Sequence, residues 1–153
     1  MMNLIITCAR HLEGDTEDEL IDILEELGDS DVKIAVSNMS GIITVETKLD
    51  PIEVVRKMKE MLLDEPWSIR YCLRIIPIQK VVETNIDEIE KRNSEISSKE
   101  IITKIANGIK NKVSLDHPDK IILIEILGIV TGISILKNSD ILSIEKTKRS
   151  MSD

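Results

Sequence analysis

The apolar positions of this chain fall into short runs and helical stripes, separated by Gly, Pro, Asn and Asp. Leu4–Cys8 predicts a first strand, followed by a loop over Arg10–Asp15. Thr16 and Glu19 have capping-box spacing and predict the start of a helix. Its inner face would be Leu20, Ile21, Ile23, Leu24 and Leu27, and Gly28 would close it as a C-cap. Val32–Ser37 and Ile42–Thr47 predict two strands around a turn at Asn38–Gly41. Asp50-Pro51 predicts a second helix start, with the carboxylate capping and the proline supplying the first helical φ. Val54, Val55, Met58, Met61 and Leu62 form its stripe, and Pro66 stops it.

Ile69–Ile76 predicts another strand, carrying Arg70 and Arg74. Asn85–Arg92 has no clear period and is helical or irregular. A second capping box at Ser97–Glu100 predicts a helix with Ile101, Ile102, Ile105, Ala106 and Ile109 inside. Val113–Pro118 reads as a loop, and Ile121–Ile126 as a central strand because it is almost continuously apolar. Gly128–Gly132 is expected to turn the chain into an antiparallel partner, Ile133–Leu136. Ile141, Leu142 and Ile144 suggest a last short element, and Lys146–Asp153 is expected to fray. The order β-α-β-β-α-β followed by α-β-β is that of an α+β protein whose first block is a ferredoxin-like unit. A division near residues 1–65 and 66–153 follows, with the two units interlocked.

Composition sharpens this picture. The chain has 153 residues, 42% of them hydrophobic, which suffices for one domain or two small ones sharing a core. It holds no Phe, one Trp (Trp67) and one Tyr (Tyr71). Base-stacking platforms are therefore excluded as the main grip on nucleic acid, leaving charge, backbone amides and shape. The net charge is −8, distributed unevenly. Residues 1–65 carry 16 Asp/Glu and 6 Lys/Arg, a balance of −10; residues 66–153 carry 12 and 14, a balance of +2. An acidic half thus precedes one that can face phosphates, although solvated charged faces would produce the same numbers.

Cys8 and Cys72 lie in apolar strand-like runs and read as reduced core residues of a cytosolic protein, with no disulfide or metal-ligand spacing. No secretory signal pattern opens the chain, and no apolar run reaches the length of a membrane span, so a cytoplasmic protein is expected. His11 and His117 fall in predicted loops without ligand partners, and no phosphate loop or nucleophile elbow is present. The expectation is a protein with no catalytic residues, no metal and no cofactor.

The second half carries the most specific pattern. It runs Glu90-Lys91-Arg92, then Ser97-Ser98-Lys99-Glu100-Ile101-Ile102, then Lys104-Ile105-Ala106. Lys112-Val113-Ser114-Leu115-Asp116-His117-Pro118-Asp119 follows, and Ile121–Gly128 with Thr131-Gly132-Ile133-Ser134-Ile135 completes it. In this order the elements resemble the THUMP domain of tRNA-modifying proteins. The likeness is greatest to the stand-alone adaptors that assist the tRNA cytidine N4-acetyltransferase. Leu49-Asp50-Pro51 and Arg74-Ile75-Ile76-Pro77 likewise resemble the ferredoxin-like part that accompanies THUMP. The chain departs from the family in a shorter stretch between Pro77 and Arg92 and in its acidic balance.

The resemblance implies tRNA binding at the acceptor end, with chemistry supplied by an RNA cytidine acetyltransferase or another tRNA-modifying enzyme, and no role for DNA or membranes. It implies RNA contacts from Lys91 and Arg92, supported by Lys99, Lys104, Lys110 and Lys112. Gly128 and Gly132 would let an RNA backbone approach closely, or serve only as structural turn residues. On the acidic half, Glu17, Asp18, Asp22, Glu25 and Glu26 are the residues expected to meet a basic enzyme surface. The competing reading is a ferredoxin-like protein-interaction or small-ligand regulatory module that binds no RNA.

Overall fold

The computed structural model describes residues 1–83, 120–128 and 130–152. It is a mixed α+β structure with two antiparallel sheets and three helices among these residues. The predicted helix after Ser97 and the segment Asn85–Arg92 lie outside the described residues.

The first sheet contains β1 (Leu4–Cys8), β2 (Lys33–Val36), β3 (Ile42–Glu46), β4 (Cys72–Pro77) and β8 (Leu142–Ser143), in the spatial order β2-β3-β1-β4-β8. Every neighbouring pair is antiparallel, with Leu4 opposite Val45 on one side and Pro77 on the other. This sheet takes strands from both sides of the residue 65/66 division. Helices α1 (Glu13–Leu27) and α2 (Pro51–Asp64) connect β1 to β2 and β3 to β4. Helix α3 (Ile144–Ser152) packs against α2 and β4.

Strand β1 is apolar at every position but Thr7 because both of its faces are covered. Leu4, Ile6 and Cys8 join Leu20, Leu24, Val55, Met58, Leu62 and Ile75 beneath the helices. Ile5, between Leu4 and Ile6 in the chain, points the other way and packs with Ile76 and Ile78. That second face is met by Val81, Leu123 and Leu127 of the other sheet.

The second sheet has the order β5-β7-β6, from β5 (Lys80–Glu83), β6 (Ile121–Leu127) and β7 (Val130–Leu136). Both outer strands run antiparallel to β7 and hence parallel to one another. Two polar side chains stitch the sheets at the β4–β5 junction. The Ser134 hydroxyl donates to the Pro77 carbonyl (2.8 Å) and accepts from the Gln79 amide (2.9 Å). The Gln79 side-chain oxygen accepts from the Ile135 amide (2.9 Å).

Asp50 caps α2 as its sequence predicts, accepting from the amides of Ile52 (2.9 Å) and Glu53 (3.4 Å) with Pro51 in the first turn. Gly28 ends α1 with φ 114°, a left-handed conformation that favours glycine. Other expectations are corrected. Thr16 does not cap α1, which begins at Glu13; its hydroxyl lies buried in the helix and donates to the Leu12 carbonyl (2.6 Å). Ile21, assigned to the inner face, is exposed because Leu20 and Leu24 take the inward positions. The strand expected over Ile69–Ile76 starts only at Cys72. Strand β5 carried no sequence expectation: its four residues are too short to display a period. Ile121–Ile126 is not the central strand of its sheet among the described residues; β7 is. Lys146–Ser152 is helical, held by packing on α2 and by the Lys148 ammonium, which donates to the Ile69 carbonyl (3.0 Å).

Candidate functional site

The residues with the clearest shared chemistry gather between α1 and the C-terminal end of α2. Positions 15, 18, 22 and 26 recur every three or four residues, so a helix brings their side chains to one side. Asp15, Asp18, Glu19, Asp22 and Glu26 of α1 line a groove of about 520 Å³ with Asp64 and Glu65, and Ile23, Met61, Ser68 and Tyr71 complete its walls. No cationic side chain lines it. The exposed indole of Trp67 lies on the loop that follows α2.

Glu19 does more than add charge. Its carboxylate accepts from three successive backbone amides, Arg70 (3.0 Å), Tyr71 (3.1 Å) and Cys72 (3.3 Å), which anchors the start of β4 to α1. The adjoining Cys72 thiol is pushed well above its ordinary pKa, first by burial and then by the nearby Glu19 carboxylate. It is therefore an un-ionised core thiol, a poor nucleophile.

Asp29 is the buried carboxylate of this side of the molecule, 2% exposed. It accepts from the Thr47 hydroxyl (2.5 Å) and from the amides of Lys48 and Asp31 (3.0 Å each), joining the end of α1 to the end of β3. The Thr47 hydrogen bond is the main reason its pKa lies below the ordinary carboxylate value, with the two amides adding to the effect against the opposing cost of burial. Glu13 is lowered chiefly by the amide of Gly41, which donates to it at 2.9 Å. These carboxylates organise the fold and do not form an acid/base couple. Among the described residues no group of three or more His, Cys, Asp or Glu side chains is disposed to hold a metal ion.

The structure partly regroups the residues singled out from sequence. Of the five acidic residues expected to face a partner, Asp18, Asp22 and Glu26 line the groove, whereas Glu17 and Glu25 do not. Asp15 and Glu19 of the same helix join them, and the docking of α1 beside α2 adds Asp64 and Glu65. Lys91, Arg92, Lys99, Lys104, Lys110 and Lys112 lie outside the described residues, as does His117. Gly128 occupies the β6–β7 turn, exposed, with φ 67°. Gly132 is not in that turn. It sits inside β7, opposite Val81 and Glu125, and a Cβ there would stand 3.1 Å from the Cδ1 and Cγ2 atoms of Ile78. Gly132 thus makes room for a core isoleucine. His11 is exposed and holds φ 71° at the entry to α1, a left-handed conformation uncommon for a non-glycine residue.

No known protein family and no curated protein matches the chain. No helix among the described residues is long and apolar enough to cross a membrane.

Proposed function

We propose that this protein is a tRNA-binding adaptor that presents tRNA to a separate modifying enzyme, a cytidine N4-acetyltransferase being the best fit. The reading rests on the ordered THUMP-like elements of the sequence from Glu90 to Ile135. The order β2-β3-β1-β4 with α1 and α2 as connections, followed by a small second sheet, supports the ferredoxin-like part of this reading.

The observation that supports a division of labour is the acidic groove. Phosphates avoid a wall of seven carboxylates with no cation among them, so the α1–α2 side is unsuited to the tRNA track. It suits a basic surface on a protein partner, where charge complementarity speeds encounter. RNA would be met by the second half, through Lys91, Arg92 and the lysines that follow, with the exposed turn at Gly128 open to close backbone approach.

Two measurements test this. Filter binding of bulk tRNA across a salt series, with duplex DNA as control, should give a salt-sensitive tRNA complex whose slope falls by about one unit per lost phosphate contact. Lys91→Glu with Arg92→Glu should weaken it; an unchanged affinity and slope would remove these two residues from the RNA contact. Reconstitution with acetyltransferase, tRNA and acetyl donor should show more acetylation with the protein than without. Asp18→Lys with Asp22→Lys should lower that stimulation while leaving tRNA binding intact. The same groove also fits a protein-interaction module with no RNA role, and absence of any salt-sensitive tRNA complex would select that reading.

A further inference from the structure

Cys8 and Cys72 are far apart in sequence but directly opposite one another across the β1–β4 pairing, at the point where its register shifts. Both thiols are free and buried, and both belong to the core beneath the helices, so their side chains emerge on the same face of the sheet. Opposed residues of an antiparallel pair have Cβ atoms roughly 4.5–5.5 Å apart. A disulfide needs a Cβ separation of roughly 3.5–4.5 Å and a Cα separation of about 4.4–6.8 Å. A small backbone adjustment at the irregularity in the β1–β4 pairing closes that difference, and rotation about the Cα–Cβ bonds then brings the sulfurs together.

We infer that Cys8 and Cys72 form a redox-convertible pair, a cross-strand dithiol that a two-electron oxidant turns into an intramolecular disulfide without rearranging the sheet. With a diazene oxidant such as diamide, one sulfur adds across the N=N bond as a thiolate, forming an S–N bond while the nitrogen takes a proton. The second sulfur then attacks the first as the S–N bond breaks. The departing hydrazide nitrogen takes the second proton. Two thiols are oxidised to one disulfide and the diazene is reduced to the hydrazine. Burial sets the rate: Cys8 is 7% exposed and Cys72 is 0% exposed, so reagent enters only when this end of the sheet opens locally. The pair is accordingly slow to oxidise in the closed fold. Once formed, the bond closes a long loop and restricts the unfolded chain.

The experiment treats the full chain with diamide, under native conditions and in urea below the unfolding transition, then quenches, maps peptides without reduction and records thermal unfolding. The expected product is a monomer in which the peptides containing Cys8 and Cys72 are joined. It should form faster in sub-denaturing urea, retain the native far-UV dichroism and melt at a higher temperature than the reduced protein. Cys8→Ala and Cys72→Ala should each abolish the product, and peptide mapping of the unaltered chain gives the answer even if either variant folds poorly. Thiols that stay unpaired in both conditions, disulfides only between molecules, or a disulfide that destroys the dichroism would each overturn the inference.

Discussion

The two faces of the five-stranded sheet are buried by different parts of the chain. The helix side is closed almost entirely by residues from Leu4 to Ile75, with Leu142 and Ile144 arriving from the C-terminal end. The opposite side is closed by a smaller set, Ile5, Ile76 and Ile78, ringed by half-buried residues drawn from both sheets. Deep side chains on the first face are fixed by three helices and a sheet. Those on the second are fixed by sheet-on-sheet contact and by the Ser134–Gln79 hydrogen bonds. The contrast teaches that one strand, β1, serves two cores of unequal closure, and adjacent residues can report on each separately.

Ile6 and Ile5 are the sharpest probes because they are neighbours with opposite directions and similar burial, 0% and 1% exposed. Ile6→Ala should cost about 2–5 kcal/mol in chemical denaturation, since a cavity in the helix-side core has little freedom to collapse. Ile5→Ala should cost less than Ile6→Ala, because the half-buried residues around it can move inward. Equal losses would show that the two faces are closed alike.

Gly132→Val tests the second face from the other sheet. The new side chain must displace Ile78, and overpacking of this kind costs about 1–3 kcal/mol. Adding Ile78→Ala should restore part of the loss. No rescue in the double variant would mean that the strain lies elsewhere.

On the helix side, Asp29→Asn should cost about 1–3 kcal/mol by disturbing buried hydrogen bonds from Thr47, Lys48 and Asp31. Its pH signature is specific. The folded carboxyl titrates below its ordinary value, so its stabilisation is complete at neutral pH. That contribution starts to fade as pH falls through the unfolded pKa, about 3.9, and is lost once pH has dropped through the lower folded value. Asp29→Asn should therefore flatten the acid limb of a stability–pH profile, and an unaltered limb would exclude Asp29 as its source.

The smallest expected effect is Asp50→Ala, which removes the α2 cap and should cost about 1 kcal/mol. Asp50→Ser should recover most of it. A loss of the size expected for Ile6→Ala would show that the cap holds tertiary structure as well as the helix end.

Local signals were legible where a residue's own chemistry decides its conformation. Asp50-Pro51 started a helix, Gly28 ended one, and the apolar run at Leu4–Cys8 formed a strand with the expected ends. The helix stripe of α2 was readable because Val54, Val55, Met58 and Leu62 repeat with the helical period and all are buried. Thr16 misled because a threonine with Glu three positions on fits a cap equally well in isolation; the hydroxyl found the Leu12 carbonyl instead. Ile121–Ile126 lies at the edge of its sheet among the described residues, because an apolar run signals burial but does not say which strand is central.

The acidic site divides in the same way. The excess of carboxylates before residue 66 and the helical spacing of Asp18, Asp22 and Glu26 are properties of the sequence by itself. So are the caps, the turn glycine at Gly128 and the apolar stripes, because each depends on neighbours a few residues away. Only the tertiary structure added Asp64 and Glu65 to the groove, set Cys8 opposite Cys72, and placed Ile78 over Gly132. These are contacts between distant parts of the chain. They depend on strand order, register and the docking of helices, and no local period encodes them.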